Sequence, residues 1–357
     1  MRNTRGMLCR VLILAFLIVT TRALAMGAEA AGSIQRKVDQ VIFASGGPRS
    51  GQNLFTMKAD GTDQKQITSL GNLQSANPCC TSPDKRKIVF TFVDSNPFPI
   101  TAEIYIVNSD GTGLTKLIEN TDAQYAQYSA EDFSPNGKRI LFVTTTFPTP
   151  GKPEATIQTM KSDGSEVKTL TQGSGPRYSP NGGKIAYVLP DGGLSVMNAD
   201  GSHQRRLTVG FGIQPSWSPD GKSIAFIHIL TFQGFLAGFD LSTIDADGEN
   251  LTDLTHDSAQ SLFDLNPAYA PYGNSIVFTR VWASGRNVFR VTTKKTIALT
   301  QLTKDDGSEN PYQLPAFDPS GAGVFYTSTT ASGGERIYSV GLDGADPVLL
   351  ATNAFLP

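Results

Sequence analysis

From Gln40 onward, apolar and polar residues alternate with a period near two, in short runs rich in valine, isoleucine, phenylalanine and tyrosine. Alternation of this kind places one side of an extended chain in a core and the other toward solvent, which is the signature of half-buried strands. No stretch beyond that point carries a sustained helical period. The runs come in sets: QVIFAS from Gln40, KIVFTF from Lys87, RILFVT from Arg139, KIAYVL from Lys184, SIAFIH from Ser223, SIVFTR from Ser275 and GVFYTS from Gly323. Each is followed by a second run, such as NLFTMKADG from Asn53 or EIYIVNSDG from Glu103, and then by a short third run. The third runs mostly end in Leu-Thr or Ile-Thr, as at Ile67-Thr68, Leu207-Thr208 and Leu254-Thr255.

The polar residues between the runs are turn formers. Ser-Pro-Asp/Asn-Gly or a looser copy precedes most first runs, at Ser134, Ser179, Ser218, Ala270 and Asp318. Proline pre-sets φ at the first corner, and glycine accepts the positive φ that follows. Asp-Gly closes the second run in six of the seven units, with Thr293-Lys294 in its place in the sixth. A further short strand ends on an aromatic just before each turn: Phe133, Tyr178, Trp217, Tyr269 and Phe317. That makes four strands per unit, at about 47 residues each. Four-stranded units at this period predict an all-β fold, a β-propeller, because no such unit can bury its own faces. Seven blades are expected over residues 38–357, with six blades and a terminal extension as the alternative. The first unit lacks its innermost strand, and the tail Thr352–Pro357 resembles Leu314–Pro319, so the tail is expected to pair with the N-terminal segment and close the ring.

The motif aromatic-Ser-Pro-Asp/Asn-Gly-Lys-x-Ile-x-Phe, then Ala-Asp-Gly, then Leu-Thr, resembles the WD40-like (PD40) repeat of TolB-like β-propellers. The resemblance covers nearly all of the chain after Ile34. It implies the propeller and an envelope setting, but no single function, since such repeats serve binding proteins, lyases and peptidase-associated domains. TolB proteins also carry an α/β domain ahead of the propeller, whereas here the repeats begin close to an expected cleavage site.

The N-terminus bears on location. Arg2, Arg5 and Arg10 precede the apolar run Val11–Val19, and Ala23-Leu24-Ala25 offers the small residues of a cleavage site. Residues 1–25 therefore read as a signal peptide and 26–37 as a short lead. The apolar run is too short to span a bilayer of about 30 Å. Loss of this leader leaves 26 basic and 32 acidic residues, a net charge of −6. That disfavours nucleic acid and anionic membrane as partners. A periplasmic or secreted monomer is expected, without membrane insertion after cleavage.

Candidate chemistry is sparse. The alternating strands put the uniform tight turns on one face and the variable links on the other, where function usually sits. Phe98, Phe147, Phe232, Phe235 and Trp282, with Arg286, fall on links of that second face and are candidate partner contacts. Acids collect on links there too, among them Asp122, Glu131, Asp132, Asp257, Asp264, Asp305, Asp306 and Glu309. Asp132, Asp264 and Asp306 are taken as members of an acidic funnel that would steer a basic partner. Cys79 and Cys80 are placed on the link into the second unit, near the channel mouth, either as two thiols or as a vicinal disulfide. His228 and His256 have no metal-ligand spacing, no Gly-x-Ser-x-Gly elbow appears, and Asp245-x-Asp247-Gly248 reads as a turn. No cofactor or metal is expected. A scaffold for a protein or peptide in the cell envelope is the leading expectation. A propeller carbohydrate lyase or other metal-assisted enzyme at the channel mouth is the alternative.

Overall fold

The computed structural model describes residues 40–47, 51–95, 100–119, 126–149, 152–232, 235–256, 262–283, 285–293, 297–304, 309–330 and 335–356. Regular structure among them is strand, and no helix is long and apolar enough to cross a membrane. The fifth unit shows the arrangement. Phe211–Trp217, Ser223–Phe232, Phe235–Asp245 and Thr252–Asp253 pair in that order, each antiparallel to the last. The same order recurs in Gln74–Thr81, Lys87–Asp94, Thr101–Asn108 and Thr115–Ile118, and in the units that follow. Successive units touch through single parallel pairs, Gln52 with Ser75, Ala102 with Gln127 and Phe239 with Phe263. In the first unit, Ala354–Phe355 lies against Gln40–Gly47, with Ala44 opposite Phe355 and Ser45 opposite Ala354. The Gly46 N–H also donates to the Asn353 carbonyl at 3.2 Å.

The repeated motifs each do a definable job. In the Ser-Pro turn, the serine hydroxyl donates to the Asp or Asn two residues on, as from Ser218 to Asp220 at 2.6 Å. The same oxygen accepts the N–H that opens the next strand, as from Ser223 at 2.9 Å. Ser82, Ser134 and Ser179 repeat both contacts. In the Asp-Gly turn, the aspartate accepts the N–H two residues on, at Asp60, Asp110, Asp163, Asp200, Asp247 and Asp343. This local bond is why aspartate recurs there. The threonine of Leu-Thr folds back instead: Thr68, Thr208, Thr255 and Thr303 each accept a strand N–H at 2.9–3.0 Å through their hydroxyl oxygens.

The core lies between units. Phe133, Ile140, Phe142 and Met160 of the third unit pack with Val89, Ile104 and Ile106 of the second. Trp217, Ile224 and Phe226 of the fifth pack with Ala186, Leu194 and Val196 of the fourth. Val41, Phe43 and Met57 of the first meet Phe325, Ile337 and Leu350 of the last. The aromatic before each turn reaches into the preceding unit, and Trp217 adds an indole N–H donated to the Arg177 carbonyl at 3.1 Å. Burying one such side chain contributes about 1.5–3 kcal/mol. The tight turns stack as well. A Cβ on Gly137 would lie 3.3 Å from Pro83 Cδ, and one on Gly182 or Gly273 would lie 3.3 Å from Pro135 or Pro219. Neighbouring Ser-Pro turns therefore share one face, and the hairpin ends of the second and third strands point the other way.

Replacing Thr208 with valine removes the acceptor for the buried Leu194 N–H, which donates to it at 3.0 Å. Thr208→Val is expected to cost about 1–3 kcal/mol. Urea unfolding would show this as a lower midpoint with an unchanged slope.

Candidate functional site

The innermost strands of the second to seventh units each carry a bulge just before the proline turn that follows. Register shifts fall between Pro78 and Cys80, Ala130 and Asp132, Ser174 and Arg177, Ile213 and Ser216, Leu265 and Ala268, and Tyr312 and Ala316. A bulge turns two successive side chains away from strict alternation. The last three units place a proline and a small residue there: Pro215-Ser216, Pro267-Ala268 and Pro315-Ala316. The residue before each proline takes a positive φ, 56° at Gln214, 55° at Asn266 and 65° at Leu314. The second, third and fourth units depart from this, with Cys79-Cys80, Glu131-Asp132 and Pro176-Arg177. Since proline with alanine or serine satisfies the fold elsewhere, these reactive and charged residues are not required by the bulge.

They form one cluster. Arg177 Nη1 donates to the Glu131 carbonyl at 2.5 Å and lies 3.3 Å from Glu131 Oε2. Asp132 Oδ2 accepts the Tyr178 N–H at 2.9 Å. Glu131 and Asp132 are only 6% and 7% exposed. Burial pushes the Glu131 carboxyl up to about 7, against the pull of Arg177. It pushes Asp132 up to about 6 in the same way. Burial opposes the charge on Arg177, and Glu131 and Asp132 more than offset it. The Cys79 and Cys80 sulfurs stand 2.8 Å apart as free thiols. Burial, then Cys80, pushes the Cys79 thiol well up, while Arg177 draws it back in part.

Several expectations need correction. Cys79 and Cys80 are not on the link into the second unit. They lie in Gln74–Thr81, two residues from the Ser82 turn, toward the tight-turn end of that strand. Asp132 is likewise a buried strand residue, not part of an open rim. Asp264 is fully buried, paired with Arg280 through two contacts at 2.8 and 3.0 Å, and accepts the Thr255 hydroxyl at 2.7 Å. Arg280 in turn stacks over Phe278 and Phe289. Both acids are engaged inside the fold, Asp264 by the Arg280 guanidinium and Asp132 by the Tyr178 N–H in the field of Arg177, because a buried carboxylate needs a partner. They cannot draw in a basic segment as free charges. Asp306, Asp122, Asp257, Asp305 and Phe98 lie outside the described residues.

The hairpin ends differ sharply in reach. Arg139–Thr149 with Lys152–Lys161, and Ser223–Phe232 with Phe235–Asp245, run 10 or 11 residues per strand. Between them, Lys184–Val188 and Leu194–Asn198 run five. At about 3.3 Å per residue the longer hairpins overreach the shorter by more than 15 Å. Phe147, 43% exposed, lies near the end of the first long hairpin. Phe232 and Phe235 pair at the tip of the second. Phe211, 44% exposed, lies across the short turn, where a Cβ on Gly192 would be 2.1 Å from its ring. Val209 beside it is fully exposed. Trp282 and Arg286 are half-buried on the neighbouring sixth-unit hairpin. Sequence reasoning missed Phe211 and Arg177. Arg177 was detectable only as an exception to the proline-small pair of the repeat.

On the tight-turn face, a cavity of about 340 Å³ between the last and first units is lined by Ala59, Asp318, Pro319, Phe325 and Asp346, among others. His228 lies 3.5 Å from Asp253. Among the described residues, no three histidine, cysteine or carboxylate side chains gather to hold a metal.

No protein-family profile matches the chain. An uncharacterized protein of Agrobacterium fabrum is 25% identical over 167 residues, 41% of this chain and 53% of that protein. The chain thus matches about half the length of this curated relative. Among solved structures, a putative TolB from Agrobacterium tumefaciens aligns at 20% identity with a TM-score of 0.50, over 67% of this chain and 84% of that one. An oligogalacturonate lyase in complex with manganese aligns at 14% identity with a TM-score of 0.64, over 85% and 86%. The β-propeller domain of the trilobed protease from Pyrococcus furiosus aligns at 12% identity with a TM-score of 0.61, over 89% and 96%. The fold is that of the TolB-like β-propellers.

Two predictions follow from the buried cluster. Glu131 holds its proton more tightly folded, at about 7, than its ordinary value of 4.5, and Asp132 does so at about 6 against 3.8. The folded state therefore carries extra protons between those values, and stability falls as pH rises through that window. Calorimetry should show a melting temperature that declines between about pH 5 and pH 7.5, with a flatter profile in Glu131→Gln. Arg177→Met leaves two buried carboxylates without their cation. It should cost about 3–5 kcal/mol at neutral pH and recover much of that in acid.

Proposed function

We propose that this chain is an exported, seven-bladed propeller that binds a protein or peptide in the cell envelope through its long-hairpin face. The pairing of Ala354–Phe355 with Gln40–Gly47 supports closure of the ring by the two ends of the chain. The signal-like leader supports export to the periplasm or beyond. One observation carries the binding site: two long hairpins stand on either side of a short one, with Phe147, Val209 and Phe211 exposed around the gap. Exposed aromatic and branched side chains beside a concave floor suit an extended apolar segment. Rigid walls reduce the ordering cost of capture. The partner is read by shape and apolar contact, because Asp132 and Asp264 are engaged inside the protein.

The lyase alternative is supported by likeness of fold alone, and turnover of oligogalacturonate with added manganese would establish it. For the binding reading, a photo-crosslinking residue at Phe147 or Phe211 is expected to trap one envelope protein. The same probe at Asn136 or Asp220, on the tight-turn face, is expected to trap none. Phe211→Ser should weaken capture of that protein roughly tenfold, about 1.4 kcal/mol. Equal trapping from both faces would refute the assignment.

A further inference from the structure

The thiol pair has no counterpart elsewhere in the ring, and the bulge gives it a geometry that a regular strand cannot. Adjacent side chains on a strand point to opposite faces. Here the register passes from Pro78 opposite Phe90 to Cys80 opposite Val89, leaving Cys79 unpaired and the two sulfurs 2.8 Å apart. Cys79 is 5% exposed and packs among Val89, Ile104 and Phe133, while Cys80 is half-buried at the edge of the same group. At the position of Cys80, the sixth and seventh units carry Ala268 and Ala316, so a sulfur is not needed for packing.

We propose that Cys79 and Cys80 are a redox site, a dithiol that closes to a vicinal disulfide by exchange with a small-molecule or protein disulfide. Cys80, the more exposed thiol, loses its proton and attacks one sulfur of the incoming disulfide. The S–S bond of the reagent breaks and one thiolate leaves. Cys79 then gives up its proton and attacks Cys80 Sγ, which breaks the mixed disulfide and releases the second thiol. The protein has lost two protons and two electrons, and the reagent has gained them. Arg177 favours the Cys79 thiolate, and Glu131 opposes it. Burial of Cys79 sets it as the resolving partner, reached only by the neighbouring sulfur.

The bond would not serve as a staple. Stabilisation by a disulfide grows with the length of chain it encloses, and two adjacent residues enclose none. A tight vicinal ring is also easily reduced. The site therefore reports redox state, at a place where Glu131 and Arg177 would feel the change. This inference is independent of the partner-binding reading.

The test uses the chain in a Cys9→Ser background, treated under native conditions with oxidised glutathione and followed by intact mass. The expected product lacks two hydrogens, retains no glutathione and has lost both thiols to Ellman's reagent. Cys79→Ala should instead hold one glutathione on Cys80. The ratio of closed to glutathionylated product should be at least tenfold higher for the native protein than for the same protein in urea. That comparison stands even where a variant fails to fold. A native protein that accumulates a stable glutathione adduct, or that closes no more readily than the unfolded chain, overturns the proposal. So does one that keeps both thiols while Cys79→Ala is modified.

Discussion

The burial of apolar side chains between successive four-stranded units is the constraint on which everything else rests. A single unit is a small twisted sheet with two apolar faces and no core of its own. Ile140 and Phe142 find their cover in Val89 and Ile104, and Trp217 finds its cover in Ala186 and Leu194. The hydrophobic gain is realised only when units stack, so the stacking direction is fixed before any detail of the loops. The serine, aspartate and threonine of the motifs then satisfy the backbone groups that stacking removes from water. Repetition in the sequence is the consequence of repeating one packing problem.

Stacking also decides what lines the interior. Innermost strands of successive units lie side by side, so a departure in one repeat meets the departures in its neighbours. Cys79-Cys80, Glu131-Asp132 and Pro176-Arg177 are three such departures in a row. Two carboxylates and one guanidinium in a buried place raise the cost of charge, which is visible in carboxyls pushed toward neutral values. Asp264 and Arg280 make a second internal pair, closed by Thr255 and by the rings of Phe278 and Phe289. The two arrangements differ in one respect: the Asp264 pair is one acid to one base, whereas the Arg177 cluster has an acid in excess and two thiols within its field.

The two faces of the protein differ for a physical reason. Each Ser-Pro turn lies against the proline of the turn before it, which leaves little room for side chains or insertions. The opposite hairpin ends meet no such restriction and vary from five-residue strands to eleven. Variation in reach produces walls and a floor without changing the core beneath. That is why exposed Phe147, Val209 and Phe211 can gather there at no cost to packing.

The strands, the turns, the four-strand unit and the expectation that the tail joins the first unit are all legible in the residue order. All of these depend on local chemistry: alternation, proline and glycine at corners, and a tail that reads like another repeat. The sequence also singled out Cys79, Cys80 and Asp132. It misjudged their surroundings, because a carboxylate written near a loop looks the same whether it faces water or a buried guanidinium. Which residues meet across units separated by about forty-six positions, as Glu131 and Arg177 do, depends on the stacking of strands around an axis. The 2.8 Å approach of two adjacent sulfurs depends on a bulge whose effect on side-chain direction no period of two can reveal. Local pattern thus specified the parts, and only the tertiary packing decided which side chains share an environment.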